Sequence, residues 1–309
     1  MCPGRNLLLI FLLVACQSKV PPPINNSFNS EPDSVVIRSV NEVPNGDKLI
    51  AIQNVTLIDG TGSDPVTDMV VIVEENLIKE IGNAQTVSIP DNAEIIPGEG
   101  LFLLPGLIDA HFHLDGNSKF PHLFLKNGVT SVRDPGAWIE SYQTVRESGE
   151  QIPRLFLTGP HLDQPPPAYP QNSYLVRDGI EAKEVVNRFA DQGASAIKVY
   201  FRLPPEIIEV VCETAHQRGI PVTAHLEATS ATAAVRAGID GIEHITSVGI
   251  DLLPQFEAEQ YRQSVLADNN ARRLGRYQVW DQVDLNSYRV DSLLYLLKAQ
   301  GTVAVSYTH

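Results

Sequence analysis

The strongest constraint in this 309-residue sequence is the regular alternation of short apolar runs with helical stretches that begins at Pro105. The apolar runs predict strands near residues 107–113, 129–133, 154–158, 195–200, 221–225, 240–245 and 302–306. The intervening stretches predict helices near residues 118–127, 137–148, 180–192, 204–218, 227–237 and 286–299. Several helices are followed by a glycine, a common C-terminal signal: Gly128, Gly149, Gly193, Gly219 and Gly238. Repeated βα units predict an α/β fold with a parallel sheet, open or closed into a (β/α)₈ barrel.

The segment before this alternation has a different pattern. Residues 48–104 contain five short runs rich in β-branched and other apolar residues, separated by turn clusters such as 59–62 and 97–100. The pattern predicts a small antiparallel β-domain, which we expect to be a β-sandwich, followed by the barrel domain at 105–309. Within the barrel domain, residues 249–284 form a long insertion after strand six, either a mobile lid or a solvated excursion.

The N-terminus has the features of a targeting segment. An apolar run from Leu7 to Ala15 is too short to cross a bilayer as a helix, and residues 1–16 are typical of a signal peptide. The run ends in Leu13-Val14-Ala15-Cys16, which resembles the bacterial lipobox, whose cysteine is acylated and becomes the first mature residue. We therefore expect a lipid-anchored, extracytoplasmic protein of the bacterial cell envelope, with residues 17–47 as a flexible tether. An ordinary secreted or membrane-retained chain is the alternative.

Composition excludes several classes of protein. Hydrophobic residues make up 43% and charged residues 19% of the chain, which argues against a polytopic membrane protein and against a disordered chain. A formal net charge of −14 would repel a nucleic acid, so no nucleic-acid partner is expected. The three cysteines, Cys2, Cys16 and Cys212, are too few and too far apart for a disulfide framework or a thiolate metal site.

Four histidines lie at the ends of three predicted strands. His111 and His113 are two residues apart, a spacing that places side chains on one face of a strand, and His225 and His244 each end a strand of their own. A single histidine of this kind is more often a core or loop residue, but the set together predicts a metal site.

Four further positions near the strand ends are candidates for binding substrate or metal. Lys198 lies in an apolar strand, where an amine is costly unless it is paired or chemically modified. Alternatively, it reaches a surface carboxylate at the strand end. Tyr200 and Arg202 lie two and four residues after Lys198, so an extended strand would point them to the same face, where they could contact substrate. His161, after strand three, could also contact substrate. The simpler interpretations are a tyrosine of the cavity wall, a surface arginine and a loop histidine.

The run from Pro105 to His113, followed by Lys198, His225 and His244 in that order, resembles the amidohydrolase superfamily of metal-dependent hydrolases. Thr56 to Gly62 also resembles the start of that family's small β-domain. The resemblance covers residues 48–309 and is most similar to the imidazolonepropionase and Xaa-Pro dipeptidase-like branch. It implies a (β/α)₈ barrel, one metal ion on His111 and His113, and a second on His225 and His244. It further implies two zinc ions and a carboxylated Lys198 that bridges them.

One feature of that family has no counterpart in this sequence. The family places a catalytic aspartate at the end of strand eight, whereas the sequence stops at His309, after about strand seven. We therefore expect a truncated barrel with no identified catalytic acid or base. The leading hypothesis is a hydrolase of amide or cyclic-amide bonds that acts on a small or dipeptide-like substrate. The alternatives are an inactive metal-binding remnant and a fragment that does not fold stably.

The predicted anchor can be tested by replacing one sulfur with oxygen. Cys16→Ser removes the acylated thiol, so the protein should move from the membrane fraction to the soluble extracytoplasmic fraction. Fractionation followed by immunoblotting measures the shift, and Cys212→Ser is the matched control. A Cys16→Ser protein that stays with the membranes would contradict the anchor.

Overall fold

The computed structural model describes residues 48–114 and 120–305. The predicted signal peptide, with Cys16, and the tether at 17–47 lie outside the described residues. All of the described residues belong to one unit, Val35–His309. Within residues 48–114 and 120–305, no helix has the combination of length and apolar composition needed to cross a bilayer.

The N-terminal part is one mixed β-sheet. Its strands are β1 (Leu49–Leu57), β2 (Val66–Glu74), β3 (Leu77–Asn83), β4 (Glu94–Pro97) and β5 (Phe102–Leu103). β1, β2 and β3 pair antiparallel as predicted, but β4 and β5 both pair parallel to β1 along its other edge. The described residues therefore form a single five-stranded sheet here and not the expected antiparallel sandwich. The reason is that the segment after β3 returns to the free edge of β1 instead of building a second layer.

The rest of the described chain alternates strands and helices. The strands are β6 (Leu107–Asp109), β7 (Val129–Asp134), β8 (Arg154–Leu157), β9 (His161–Asp163), β10 (Ser173–Leu175), β11 (Ile197–Val199), β12 (Val222–Ala224), β13 (Gly241–Glu243) and β14 (Val303–Val305). The helices are α1 (Phe120–Lys126), α2 (Gln143–Glu147), α3 (Gly179–Asp191), α4 (Pro205–Gln217), α5 (Ala231–Arg236), α6 (Gly249–Leu252), α7 (Gln255–Ala267), α8 (Ala271–Gln278) and α9 (Tyr288–Gln300). Short 3₁₀ turns occupy Ile139–Tyr142, Pro170–Asn172, Ile245–Val248 and Val279–Asp281.

These strands form two parallel sheets, in chain order except that β10 pairs with the outer edge of β9. One has the order β6-β7-β8 and the other the order β10-β9-β11-β12-β13-β14. β8 leads directly into β9, and the Ser195 amide donates to the Leu157 carbonyl at 2.8 Å, so the two sheets follow one another. The seven predicted strand positions and the α/β class are confirmed, and the carboxyl ends of neighbouring parallel strands lie at the same edge.

The helices cover the sheets through apolar faces at helical spacing. In α3 the buried side chains are Ala182, Val185, Val186 and Phe189, and they join a core cluster that includes Ile197 of β11. All five glycines predicted to end helices have positive φ, between 69° and 103°. Only glycine adopts this conformation without strain, which explains why the helices stop there and the chain returns to the next strand.

Residues 249–284 differ from the expectation of a solvated excursion. The segment contains the helices α6, α7 and α8, and Val265 of α7 is fully buried against Tyr200 and Phe201. It is therefore packed on the strand ends, which the sequence pattern did not show.

Candidate functional site

A cavity of about 280 Å³ opens where the parallel strands end. We call it the histidine cavity, and it is lined by His111, His113, Pro135, His161, Tyr169, Gln171, Asn172, Lys198, Tyr200, His225, His244 and Arg276. All five residues predicted to bind metal line it, together with two of the three predicted to bind substrate. The structure thus brings together side chains separated by more than one hundred positions in the sequence.

His111 and His113 reach the cavity from a loop and not from a strand. β6 ends at Asp109, whose side chain accepts from the His111 amide at 3.1 Å. The Phe112 amide still donates to the Arg133 carbonyl of β7 at 3.0 Å, so the loop stays close to the sheet edge. The two rings lie 5.3 Å apart, centroid to centroid, and are perpendicular. The prediction that both reach one site is confirmed, although the strand ends before them.

His225 and His244 follow β12 and β13 directly. His244 has a φ of 66°, an unusual conformation for a residue with a side chain. Its ring lies 4.8 Å from the ring of His225 and 4.7 Å from that of His111. The three rings therefore form one group.

A buried carboxylate, which the sequence analysis did not single out, lies beneath this group. Glu243 is fully buried, and its carboxylate accepts from His111 Nδ1 at 2.7 Å and from Arg133 Nη2 at 2.6 Å. Lys198 Nζ is 3.5 Å from the same carboxylate. Burial alone would raise the pKa of Glu243, but the neighbouring Lys198, His111 and Arg133 lower it below the usual range. Glu243 is therefore an anion that organises three surrounding donors.

Lys198 is 1% exposed and lies in the middle of β11, as predicted. Burial lowers its pKa to about 8, with Glu243 opposing that change and Arg133 adding to it. The alternative of a lysine that reaches a surface carboxylate does not apply, because its ion-pair partner is buried. Its amine can therefore lose its proton close to neutral pH.

Three of the four clustered histidines have a carboxylate on one ring nitrogen. His111 uses Nδ1 toward Glu243, His113 uses Nδ1 toward Asp134 at 3.3 Å, and His225 uses Nε2 toward Glu227 at 3.0 Å. A carboxylate in this position fixes both the tautomer and the orientation of an imidazole that binds metal through its other nitrogen. That nitrogen would be Nε2 in His111 and His113, and Nδ1 in His225.

The imidazoles of His111, His161, His225 and His244 are held in the neutral form. Burial is the main cause, and neighbouring positive groups such as Lys198 add to it. Together they lower the pKa of His244 to about 2 and the pKa values of His161 and His225 well below the usual value. Neutral imidazole is the form that binds a metal ion.

The predicted substrate-binding residues separate into two groups. His161 and Tyr200 line the cavity and stack on each other with centroids 4.3 Å apart. Arg202 does not reach the cavity: β11 ends at Val199, and the guanidinium instead donates to Asn269 and to the carbonyls of Val265 and Leu266. The structure does not bring Arg202 to the cavity, because the alternation of side chains along a strand no longer applies after the strand has ended.

Two arginines of α8 complete the wall. Arg276 lines the cavity, and Arg272, which is 3% exposed, lies 3.8 Å from Glu227 Oε1 and over the rings of Tyr169, Tyr200 and Phe201. Burial raises the pKa of Glu227 to about 7, against the opposing effect of these arginines. No periodic signal in residues 249–284 pointed to either arginine.

The donor chemistry of the cavity fits a divalent metal ion of the zinc type. Neutral imidazoles, carboxylates behind them and an amine of lowered pKa are the groups that such a site uses. As placed in residues 48–114 and 120–305, no three His, Cys, Asp or Glu side chains form a ready-made metal-binding group. The side chains of the cavity are therefore of the types that bind zinc and lie in one place, but as placed they do not form a complete set of ligands.

The chain is similar to several known proteins. Residues 102–253 match the family model described as "Amidohydrolase family". An uncharacterised protein of Mycobacterium tuberculosis is 28% identical over 182 residues, which cover 50% of this chain and 48% of that protein. The ochratoxinase of Aspergillus niger is 22% identical over 294 residues, which cover 73% of this chain and 59% of that enzyme. The chain thus spans about half to three fifths of the length of these relatives.

Two solved structures share the fold. A Xaa-Pro dipeptidase with methionine bound in its active site has a TM-score of 0.59 at 20% identity, covering 84% of this chain and 79% of that one. The A. niger ochratoxinase has a TM-score of 0.59 at 18% identity, covering 84% of this chain and 75% of that one. At these identities the similarity concerns the fold.

The role of Glu243 can be measured through stability. Glu243→Gln leaves the buried Lys198 and the half-buried Arg133 without an anion, and breaking a buried ion pair in this way costs about 3–5 kcal/mol of unfolding free energy. Glu94→Gln is the control, because it removes a carboxylate of the exposed Lys48–Glu94 pair, which is 3.1 Å long. Chemical denaturation of both variants should show a large loss only for Glu243→Gln, and equal small losses would contradict the proposed role.

Proposed function

Because the chain belongs to the amidohydrolase family, we propose that it is a metal-dependent hydrolase of amide or cyclic-amide carbon–nitrogen bonds, with the histidine cavity as its active centre. The observation that carries the proposal is that four histidines and a buried lysine, from four different strand ends, line one cavity. The proposal includes the closure of the parallel sheets into a (β/α)₈ barrel. β6, β7, β8 with β9, β11, β12, β13 and β14 supply seven consecutive strands to it.

In this proposal the cavity would hold two zinc ions. His111 and His113 would hold one and His225 and His244 the other. Lys198 would be a ligand shared by both, as the carbamate that its neutral amine forms with carbon dioxide on loss of a proton. When bound, the two ions supply Lewis acidity, which polarises a substrate carbonyl and lowers the pKa of water.

The protein's own groups prepare the site for that chemistry. Glu243, Asp134 and Glu227 fix the orientation of three imidazoles before a ligand arrives. The stacked His161 and Tyr200 form a wall that limits the room available to the substrate. An arrangement fixed in advance lowers the cost of ordering at the moment of reaction.

The charge of the cavity favours a substrate that carries a carboxylate. Arg276 brings positive charge to the wall, and none of the described lining residues is acidic. A guanidinium forms two parallel hydrogen bonds to a carboxylate, which both orients and holds it. A dipeptide-like molecule with a free carboxyl terminus meets these requirements, and an envelope location through the Cys16 anchor would expose the cavity to extracytoplasmic peptides.

The alternative is a metal-binding protein without hydrolytic activity. It is favoured by the lack of a carboxylate among the described lining residues to accept the proton of an attacking water. Asp134 does not serve, because it accepts from Tyr142 Oη and from the Leu114 amide and is paired with His113. Amino acid release from dipeptides by the zinc-loaded protein, above that of the zinc-free protein, supports the hydrolase; zinc binding without turnover supports the alternative.

Lys198 should control how much metal the protein holds. Lys198→Met keeps most of the side-chain volume but removes the amine, so the amount of zinc bound per chain should fall by about half, because the bridge is lost. Arg202→Met, which removes a charge outside the cavity, should bind zinc like the wild type. Added bicarbonate should raise zinc loading of the wild type and of Arg202→Met only. Metal analysis by mass spectrometry measures this, and equal loading of all three proteins would contradict the bridging role.

Arg276 should determine the preference for a free carboxylate. Arg276→Met removes a charge-assisted contact, so KM for a dipeptide should rise about tenfold while that for the same dipeptide amidated at its C-terminus stays unchanged. Arg273→Met, an exposed position on the same helix, is the control. Equal changes for the free and the amidated peptide would show that Arg276 does not bind the carboxylate.

A further inference from the structure

One side chain of helix α8, Arg272, is buried next to the proposed metal site. Arg272 is 3% exposed although its helix lies in the segment 249–284, and its neighbour Arg273 is exposed. An arginine this buried loses hydration, which is costly unless nearby groups compensate. Its partners therefore indicate what it does.

The first partner is a carboxylate that holds a histidine. Arg272 Nη1 lies 3.8 Å from Glu227 Oε1, and that oxygen accepts from His225 Nε2 at 3.0 Å. Glu227 is itself 2% exposed, and of its two oxygens Oε2 has no hydrogen-bond partner among the described residues. Arg272 is thus a positively charged group that lies close to this buried carboxylate.

The second partner is an aromatic wall that also contacts the same histidine. The Arg272 guanidinium lies 5.8 Å from the ring centroid of Tyr200 and 5.1 Å from that of Tyr169. The ring of Tyr200 in turn lies 4.7 Å from the ring of His225. Arg272 therefore contacts both groups that lie against the imidazole of His225, the carboxylate of Glu227 and the ring of Tyr200.

We propose that Arg272 is a positioning residue that fixes Glu227 and Tyr200 and, through them, the ring of His225. The inference rests on the proposed function, since it assigns His225 a ligand role. Helix α8 then contributes two residues: Arg272 supports the metal site, and Arg276 lines the cavity wall. Arg272 itself does not touch a reacting atom.

The test measures zinc affinity, which does not depend on turnover. In the full chain, Arg272→Met keeps the stem that packs on the aromatic rings but removes the charge, and zinc binding is followed by competition with a chromophoric chelator. Groups that orient metal ligands typically change affinity by about 10–100-fold, so a loss of at least about tenfold is expected. Arg273→Met makes the same charge change on the exposed face of α8 and should bind zinc like the wild type.

A double variant tests whether the effect passes through the carboxylate. If Arg272 acts mainly through Glu227, the zinc affinity of Arg272→Met/Glu227→Gln should be close to that of Glu227→Gln alone. If the two losses multiply, Arg272 does not act through Glu227 and that part of the inference is overturned. The absorption spectrum of the cobalt-loaded protein is a second readout, since a displaced His225 should alter it in Arg272→Met but not in Arg273→Met.

Failure of this inference can be separated from failure of the proposed function. If the wild type binds no zinc, both fail. If the wild type binds zinc and Arg272→Met binds it equally well, only the role of Arg272 is refuted. Should Arg272→Met lose its native circular dichroism, Arg272→Lys and Arg272→Gln carry the comparison: Lys, which keeps the charge, should retain more zinc affinity than Gln, and the reverse order would overturn the inference.

Discussion

The arrangement of the cavity depends on one buried anion. Glu243 is inaccessible to solvent and faces Arg133, His111 and Lys198, which come from three different strands or the loops that follow them. Positive and polar groups of this kind would separate if the carboxylate were absent, because each loses hydration on burial. Arg133 extends the network further, since its Nε donates to the Ala110 carbonyl at 2.6 Å, next to His111. The anion thus fixes the backbone of the first histidine pair as well as its ring.

Much of the fold could be predicted because it follows from local patterns. Apolar runs of five to seven residues, most of them followed by an amphipathic stretch and a glycine, are sufficient to place β6, β7, β8, β11, β12, β13 and β14. The N-terminal sheet was harder, because a short strand such as β4 carries no signal that tells a parallel edge partner from a strand of a second layer. Its pairing with β1 is decided by where the chain returns, which is a property of the tertiary structure.

The same distinction applies to the site. Histidines at strand ends could be found from their positions, since parallel strands bring their carboxyl ends together. Glu243 could not, because alternation predicts that it and the adjacent His244 point in opposite directions. The positive φ of His244 turns its ring back toward the other histidines, so that both residues serve one site. Arg272 and Arg276 were missed for another reason: they come from helices within a segment whose sequence shows no relation to the strand ends it covers.

The strand ends and the insertion contribute different residues to the cavity, and this difference has an evolutionary consequence. The histidines, Lys198 and Glu243 belong to the strand ends and to the loops immediately after them, whereas the arginines of the wall come from α8, between β13 and β14. Loops and insertions vary more freely than the strands that carry them. A descendant of this scaffold could exchange the insertion and acquire a new selectivity while inheriting the reactive core unaltered. Such an exchange would have to preserve or replace the contact between Arg272 and Glu227.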